Sequence, residues 1–232
     1  MKRFIPLGLI AVLLVSMFVA VSPTPVNGQS AGLVSSVLNR LEKNRANLKS
    51  LRAGIQMEKY NSQLGVSDHS TGVVLYIPGA GRNASVRLEW KSPQHEILSV
   101  QNGKYVLLRP RLQIAYTGSS AKAPKGAGGI MDMMYMSRQQ LESKFQPLQD
   151  VREETLWGGI STIHLTLVPK GGASYKYAEV WIDASGMPVQ SKIVEKNDDA
   201  TTMRLVSIEK NPKISNDDIP VKLDSNVKVI KS

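Results

Sequence analysis

Three histidines, His69, His95 and His164, are the first side chains to ask for chemistry, because imidazole is a common general base and metal ligand near neutral pH. Each lies beside residues of strand character, and no two stand at a metal-ligand spacing. Gly28-Gln29-Ser30-Ala31-Gly32 matches the Gly-x-Ser-x-Gly elbow of serine hydrolases, yet no strand pattern precedes it, so it reads as a small-residue linker. Gly79-Ala80-Gly81-Arg82-Asn83-Ala84 fits a dinucleotide-binding pattern. The residues after it, Ser85 to Trp90, alternate like a strand, which leaves no helix N-terminus to receive a phosphate; a hairpin loop is the simpler reading. Asn197-Asp198-Asp199 and Asn216-Asp217-Asp218 lack the alternating oxygen ligands of a calcium loop and read as turns. Zero cysteines remove disulfides, thiolate zinc sites and cysteine nucleophiles together. So thin a catalytic inventory points to a binding protein without metal or cofactor rather than to an enzyme.

Composition sets the frame that must position any site. The chain has 232 residues, 42% hydrophobic and 21% charged, which suits an ordinary globular protein with one core and excludes intrinsic disorder. Met1-Lys2-Arg3, an apolar run from Phe4 to about Ser22, and small or turn-forming residues through Gly28 describe a secretory signal peptide. Cleavage after Gly28 would leave residues 29–232 as a single domain in the periplasm; an uncleaved membrane anchor is the alternative. The formal charge of +10 makes nucleic acid a partner to consider. Without Lys2 and Arg3, 27 basic residues face 19 acidic ones, a charge of +8. Export then sets genomic DNA aside, and transient contact with anionic membrane surfaces remains.

From Ala31 to Arg52, Val34, Val37, Leu38, Leu41, Leu48 and Leu51 fall at helical spacing, which predicts an amphipathic opening helix. After Gly54 the period becomes two, and alternating segments near 53–60, 70–77, 84–91, 95–101, 104–109, 112–117, 148–156, 160–168, 176–183, 188–196, 200–208 and 219–230 predict an antiparallel meander. Asn102-Gly103 is a hairpin signal, and Asp183-Ala184-Ser185-Gly186 a longer one. The small-residue stretch Gly118 to Gly129 interrupts the meander and runs into a Met-rich segment, with a helix expected through Lys144.

Large apolar side chains share one parity in several strands: Val86, Leu88 and Trp90; Leu112, Ile114 and Tyr116; Ile163, Leu165 and Leu167; Met203 and Leu205. They furnish a broad greasy face of a large sheet. Periodicity alone favours a core filled beneath the first helix; a sheet this wide also tends to curl and can enclose a hollow. Met131, Met133, Met134 and Met136 follow the glycine stretch, and pliable thioethers there suit either a lid or a gap-filling helix.

The run Tyr177-Ala178-Glu179-Val180-Trp181-Ile182-Asp183-Ala184-Ser185-Gly186-Met187-Pro188, then Glu195 to Thr202, Leu205, Ile208 and Asn211, closing on Val227 to Ile230, resembles the LolA-like periplasmic lipoprotein carriers. The first helix, Ser70-Thr71-Gly72, Ile77-Pro78-Gly79, Trp90, Ser92-Pro93, Asn102-Gly103-Lys104 and Arg109-Pro110 come in the family's order, so the resemblance spans about residues 33–230. One departure is Ile77, which stands before Pro78-Gly79 where the family often has Arg.

The resemblance implies an unclosed antiparallel β-barrel, a half-barrel whose concave apolar face is covered by the first helix and a lid helix and receives lipoprotein acyl chains. The parity residues above, with Met131, Met133 and Met134 of the lid, are then the candidate acyl-binding side chains. A carrier of this kind, expected to be monomeric, would take acylated lipoproteins from an inner-membrane releasing complex to an outer-membrane acceptor. Replacing Met133 and Met134 with Asp would abolish uptake and leave the fold intact. Two other readings are an envelope-stress sensor module of the same fold, and an envelope hydrolase pairing His95 or His164 with a carboxylate.

Overall fold

The computed structural model describes residues 27–79, 84–122 and 128–231. Chain order begins with α1 (Asn27–Asn47), followed by β1 (Leu51–Asn61), β2 (Val66–Ile77), β3 (Ser85–Ser92), β4 (Glu96–Gln101), β5 (Lys104–Arg109) and β6 (Ile114–Ser119). Then come α2 (Gly128–Tyr135), α3 (Arg138–Lys144), β7 (Gln149–Leu156), β8 (Ile160–Leu167), β9 (Tyr175–Asp183), β10 (Pro188–Glu195), β11 (Ala200–Lys210) and β12 (Lys228–Lys231).

The twelve strands of the described residues join one sheet in the order β12-β6-β5-β4-β3-β2-β1-β11-β10-β9-β8-β7. Two meanders, β1 to β6 and β7 to β11, meet where β1 pairs antiparallel with β11. β7 and β12 remain as edges, so the curl does not close. Turn chemistry follows the sequence signals: Asn102 and Gly103 both have positive φ, 52° and 71°, as a two-residue hairpin of primed type requires. At the β9–β10 turn the Asp183 carboxylate accepts from Ser185 N–H, Met187 N–H and the Ser185 hydroxyl, at 2.8, 2.8 and 2.5 Å.

Strand alternation directs the apolar side chains to one face. Leu51, Ala53, Ile55 and Met57 of β1 are buried, as are Leu88 and Trp90 of β3, Met203 and Leu205 of β11, and Ile163, Leu165 and Leu167 of β8. Two clusters form there. The larger joins β1 to β5 and β11 with Ile130, Met131 and Met134 of α2. In the second, Val37, Leu38 and Leu41 of α1, Met133 of α2 and Leu141 of α3 lie on Ile163, Leu165, Leu167, Val180 and Ile182. Each such side chain contributes roughly 1.5–3 kcal/mol by leaving water, and α1 needs that contact because an isolated helix is marginal. A third, small cluster lies on the outer face, where Ile97, Leu108 and Ala115 are packed by Val221 and Val227 of the C-terminal segment.

Four boundaries differ from the sequence expectation. The opening helix ends at Asn47, so Leu48 lies beyond it and Leu51 begins β1. Asn211 explains the stop: its side chain accepts from Lys49 N–H at 2.7 Å, and Leu51 pairs with Lys210 in the ladder. The Met-rich helix does not run through to Lys144. Ser137 starts α3 with a capping box, accepting from Gln140 N–H while the Gln140 side chain accepts from Ser137 N–H. Residues 112–117 are not wholly strand, since Leu112 ends a 3-10 turn and β6 starts at Ile114. Of 219–230, only the last residues reach the sheet, and β12 runs parallel to β6, so the sheet is mixed rather than wholly antiparallel. Among the described residues no helix is long and apolar enough to cross a membrane. Residues 1–26, which carry nearly all of the expected leader, lie outside the described residues.

Candidate functional site

The concave face is only partly filled. Where β1, β2, β3, β4, β5 and β11 approach one end of the half-barrel, a cavity of about 510 Å³ opens, within the range of roughly 300–1,000 Å³ usual for small-ligand sites. Its floor is Met57, Trp90, Leu98, Leu107 and Met203, and its rim is Lys59, Ser70, Pro93, Gln94, Glu96, Arg109 and Thr201. Strand alternation puts floor and rim on the same face: Met57 and Lys59 are two apart on β1, Leu107 and Arg109 two apart on β5.

The rim is polar but organised. Arg109 donates through Nε to Glu96 Oε1 at 2.7 Å, and its guanidinium lies 5.5 Å from the centroid of the Tyr116 ring. Beside the mouth, the β1–β2 hairpin is tied to the β10–β11 turn. Asp199 accepts from Ser62 N–H at 2.8 Å, and that bond, with help from the Asn197 amide and the Ser62 hydroxyl, holds the Asp199 carboxyl below its ordinary range. A second hollow of about 450 Å³ lies at the far side, between α1 and the β7 edge, against Val34, Arg138, Leu148 and Val151.

The parity residues distribute unevenly over these features. Trp90 and Met203 line the cavity. Leu88, Leu205, Met131 and Met134 lie in the same core cluster, with Val86 and Tyr116 packed against it. Met133, Ile163, Leu165 and Leu167 belong to the second cluster, under α1. Ile114 sits opposite Arg109 in the β5–β6 ladder and is half-buried. Leu112 is exposed at 61%. The Met-rich helix therefore both covers the concave face and fills its middle, since Met131 and Met134 are buried beneath it.

Sequence reasoning missed Met57, Leu98 and Leu107 on the floor and the whole rim. Leu98 hides in Ile97-Leu98, where both neighbours are buried because Ile97 faces the C-terminal segment on the outer side. The Tyr105, Leu107, Arg109 alternation, apolar then charged at one parity, was the available signal.

Among the described residues the other motifs lie at separate places in the fold. Gly28 to Gly32 lies inside α1. Residues 80–83 of the glycine pattern lie outside the described residues, and strand β3, not a helix, comes after them. His95 meets Glu89 at 3.2 Å, while His164 is buried with Nδ1 3.1 Å from the Asp150 carbonyl oxygen and its ring 4.8 Å from that of Trp181. Both are histidine–carboxylate neighbourhoods, for Asp150 Oδ2 lies 3.4 Å from His164 Nδ1. Arg152 beside Asp150 holds that carboxyl below its ordinary range. Neither histidine contact involves a serine or threonine hydroxyl, and among the described residues no group of three potential metal ligands forms.

An unclosed sheet with helices across its concave face is the architecture that the sequence resemblance implies. Proteins of known structure share this fold at low sequence identity. No family model matches the chain, and no curated protein matches it by sequence. Solved structures do. An uncharacterized conserved protein from Thermus thermophilus superposes with a TM-score of 0.55 at 12% identity, over 86% of this chain and 99% of that one. The Pseudomonas aeruginosa MucA/MucB complex structure matches at 0.50 and 15% identity, over 87% of this chain and 63% of the other, so this chain spans under two thirds of that neighbour. The LolA superfamily protein NE2245 from Nitrosomonas europaea is also matched, at 0.41 and 11% identity, over 81% and 97%.

Proposed function

We propose that the chain is exported, loses residues 1–28, and acts from 29 to 232 as a single-domain carrier that shelters acyl chains of lipoproteins in its concave face. The observation that carries this reading is the cavity of about 510 Å³ with an apolar floor and a polar rim, open at one end of the half-barrel. Each methylene moved from water onto that floor contributes about 0.8 kcal/mol, so even partial sheltering of an acyl chain gives useful affinity without covalent chemistry or a cofactor. Met131 and Met134, inward on α2, border the same apolar cluster as the floor and supply adaptable contacts if the helix shifts to admit more of a chain. Loading and release require a membrane complex that supplies the cargo and an acceptor that takes it, because a chain buried in an apolar hollow has no reason to leave unaided.

Purification of the protein from its native envelope, followed by mass spectrometry of what travels with it, tests the proposal. A lipidated protein or other acylated molecule is expected in roughly stoichiometric amount. Repeated recovery of an empty protein that cannot take up any acylated molecule would sink it. A second reading, a lipid-sensing module that answers through a partner protein, has support in MucB, a fold neighbour solved together with MucA. It predicts that ligand changes affinity for a protein partner while no acylated cargo reaches an acceptor membrane.

A further inference from the structure

Three strands change the character of their inward side chains where they line the cavity. On β1 the step is from Met57 to Lys59, on β5 from Leu107 to Arg109, and on β4 from Leu98 to Glu96. Toward the floor the lining is mostly apolar, and at the rim charges begin. An amphiphile lying in the cavity would place its headgroup there and its chain on the floor.

The charges at the rim are not used up. Arg109 spends Nε on Glu96 and rests on the Tyr116 ring, which fixes the guanidinium, and among the described residues its two terminal nitrogens donate no hydrogen bond. Lys59 lines the cavity and, among the described residues, makes neither an ion pair nor a hydrogen bond through its side chain. Asp68 faces it across the β1–β2 ladder, exposed and without an ion pair to it. A planar fork and a mobile ammonium at the edge of an apolar hollow are the donors that recognise a carboxylate or a phosphate.

We infer that the ligand of this cavity is an acyl amphiphile with an anionic headgroup, carboxylate or phosphate, bound between Lys59 and Arg109. This rests on the acyl-binding reading and adds to it the chemistry of the head. It separates ligands that the apolar floor alone would treat alike.

The test uses the mature protein and three probes with the same sixteen-carbon chain: palmitate, palmitoyl lysophosphatidylglycerol and neutral monopalmitoylglycerol. Binding is measured below the micelle threshold by displacement of a fluorescent fatty acid and by calorimetry. At least one anionic probe is expected to bind ten times or more tighter than the neutral one, and which anion wins distinguishes carboxylate from phosphate. In a Lys59→Gln, Arg109→Gln double variant that preference should fall below about threefold. Arg109→Lys should recover only part of it, because a point charge lacks the fork. Thermal melts of the variants establish that they fold; should the double variant not fold, Lys59→Gln alone, on an exposed stem, is read for a partial loss of the same preference. Equal binding of neutral and anionic probes, or a preference that survives both substitutions, overturns the headgroup assignment and leaves acyl binding standing. Failure of every probe to bind overturns the acyl-binding reading and this inference with it.

Discussion

The two ends of the concave face are made of similar side chains and do different things. Under α1, Ile163, Leu165, Leu167, Val180 and Ile182 of β8 and β9 are no more than 5% exposed and are met by Val37, Leu38, Leu41 and Met133. At the mouth, Met57, Trp90, Leu98, Leu107 and Met203 are nearly as well buried, at 4–9%, yet they border a hollow of about 510 Å³ instead of a helix. Alternation along a strand decides only which face a side chain joins. Whether that face becomes core or cavity is decided by what lies across it: α1 packs toward β7, α2 lies against β10 and β11, and among the described residues neither contributes to the lining of the mouth.

The most damaging way to probe the covered part is to put charge under α2. Met134 is 3% exposed and packed in the larger cluster, so Met134→Asp places an unpaired carboxylate in an apolar setting and should cost about 3–5 kcal/mol. The sequence-based expectation, that aspartates at 133 and 134 spare the fold, gives way because both methionines are core residues as well as candidate ligand contacts. Urea unfolding reads the effect; an unchanged midpoint would show that α2 is a loose flap, and would erase the contrast between covered and open ends.

A matched pair of truncations sharpens the contrast. Leu165→Ala leaves a void beneath α1 and should cost about 3–4 kcal/mol, whereas Leu107→Ala only enlarges an existing hollow and loses mainly the transfer term, about 2 kcal/mol. The same chemistry should thus differ by about 1 kcal/mol or more between the two ends. Equal costs would mean that the mouth is as tightly closed as the rest.

Gly186 pins the covered end from outside. Its φ is +82°, and a β-carbon there would lie 2.1 Å from the carbonyl oxygen of Arg40 in α1. Gly186→Ala should therefore cost about 2 kcal/mol through strain and displaced helix backbone. Faster amide exchange in α1, with the β1–β2 hairpin unaffected, is the expected pattern; uniform loosening would contradict a local role.

Much of this was legible in the residues. Period-two runs located eleven of the described strands and only the end of the twelfth, and Asn102-Gly103 and Asp183 to Gly186 placed their turns, because those signals are local. The parity of Leu112 fits Ile114 and Tyr116, but Pro110 directs the chain into a 3-10 turn just before β6. The helix end at Asn47 depends on Asn211, far along the chain, and no local pattern carries that. The floor of the cavity was half legible for the same reason: Trp90 and Met203 show clean alternation, whereas Leu98 is masked by Ile97, which is buried on the outer face by the distant C-terminal segment.

The smallest expected effect concerns how the helices that cover the closed end are tied together. Glu42 of α1 accepts the backbone N–H of Arg138, the first residue of α3, at 2.7 Å, and pairs with Arg45. The Arg138 N–H first, and then Arg45, hold its carboxyl below the ordinary carboxylate range. A carboxyl lowered in the folded state stabilises above its unfolded pKa of about 4.3 and loses that contribution as pH falls through the lower, folded value. Because the side chain is 35% exposed, water screens the interaction and its worth should stay below about 1 kcal/mol. Glu42→Gln should therefore lower stability slightly at about pH 7, and the gap to the parent protein should close as the carboxylate of the parent is protonated below about pH 4. A gap that stays constant with pH would mean that Glu42 joins α1 to α3 by shape alone; a gap that closes marks the helical cover as electrostatically latched, unlike the apolar floor at the mouth, where truncations should show no such pH dependence.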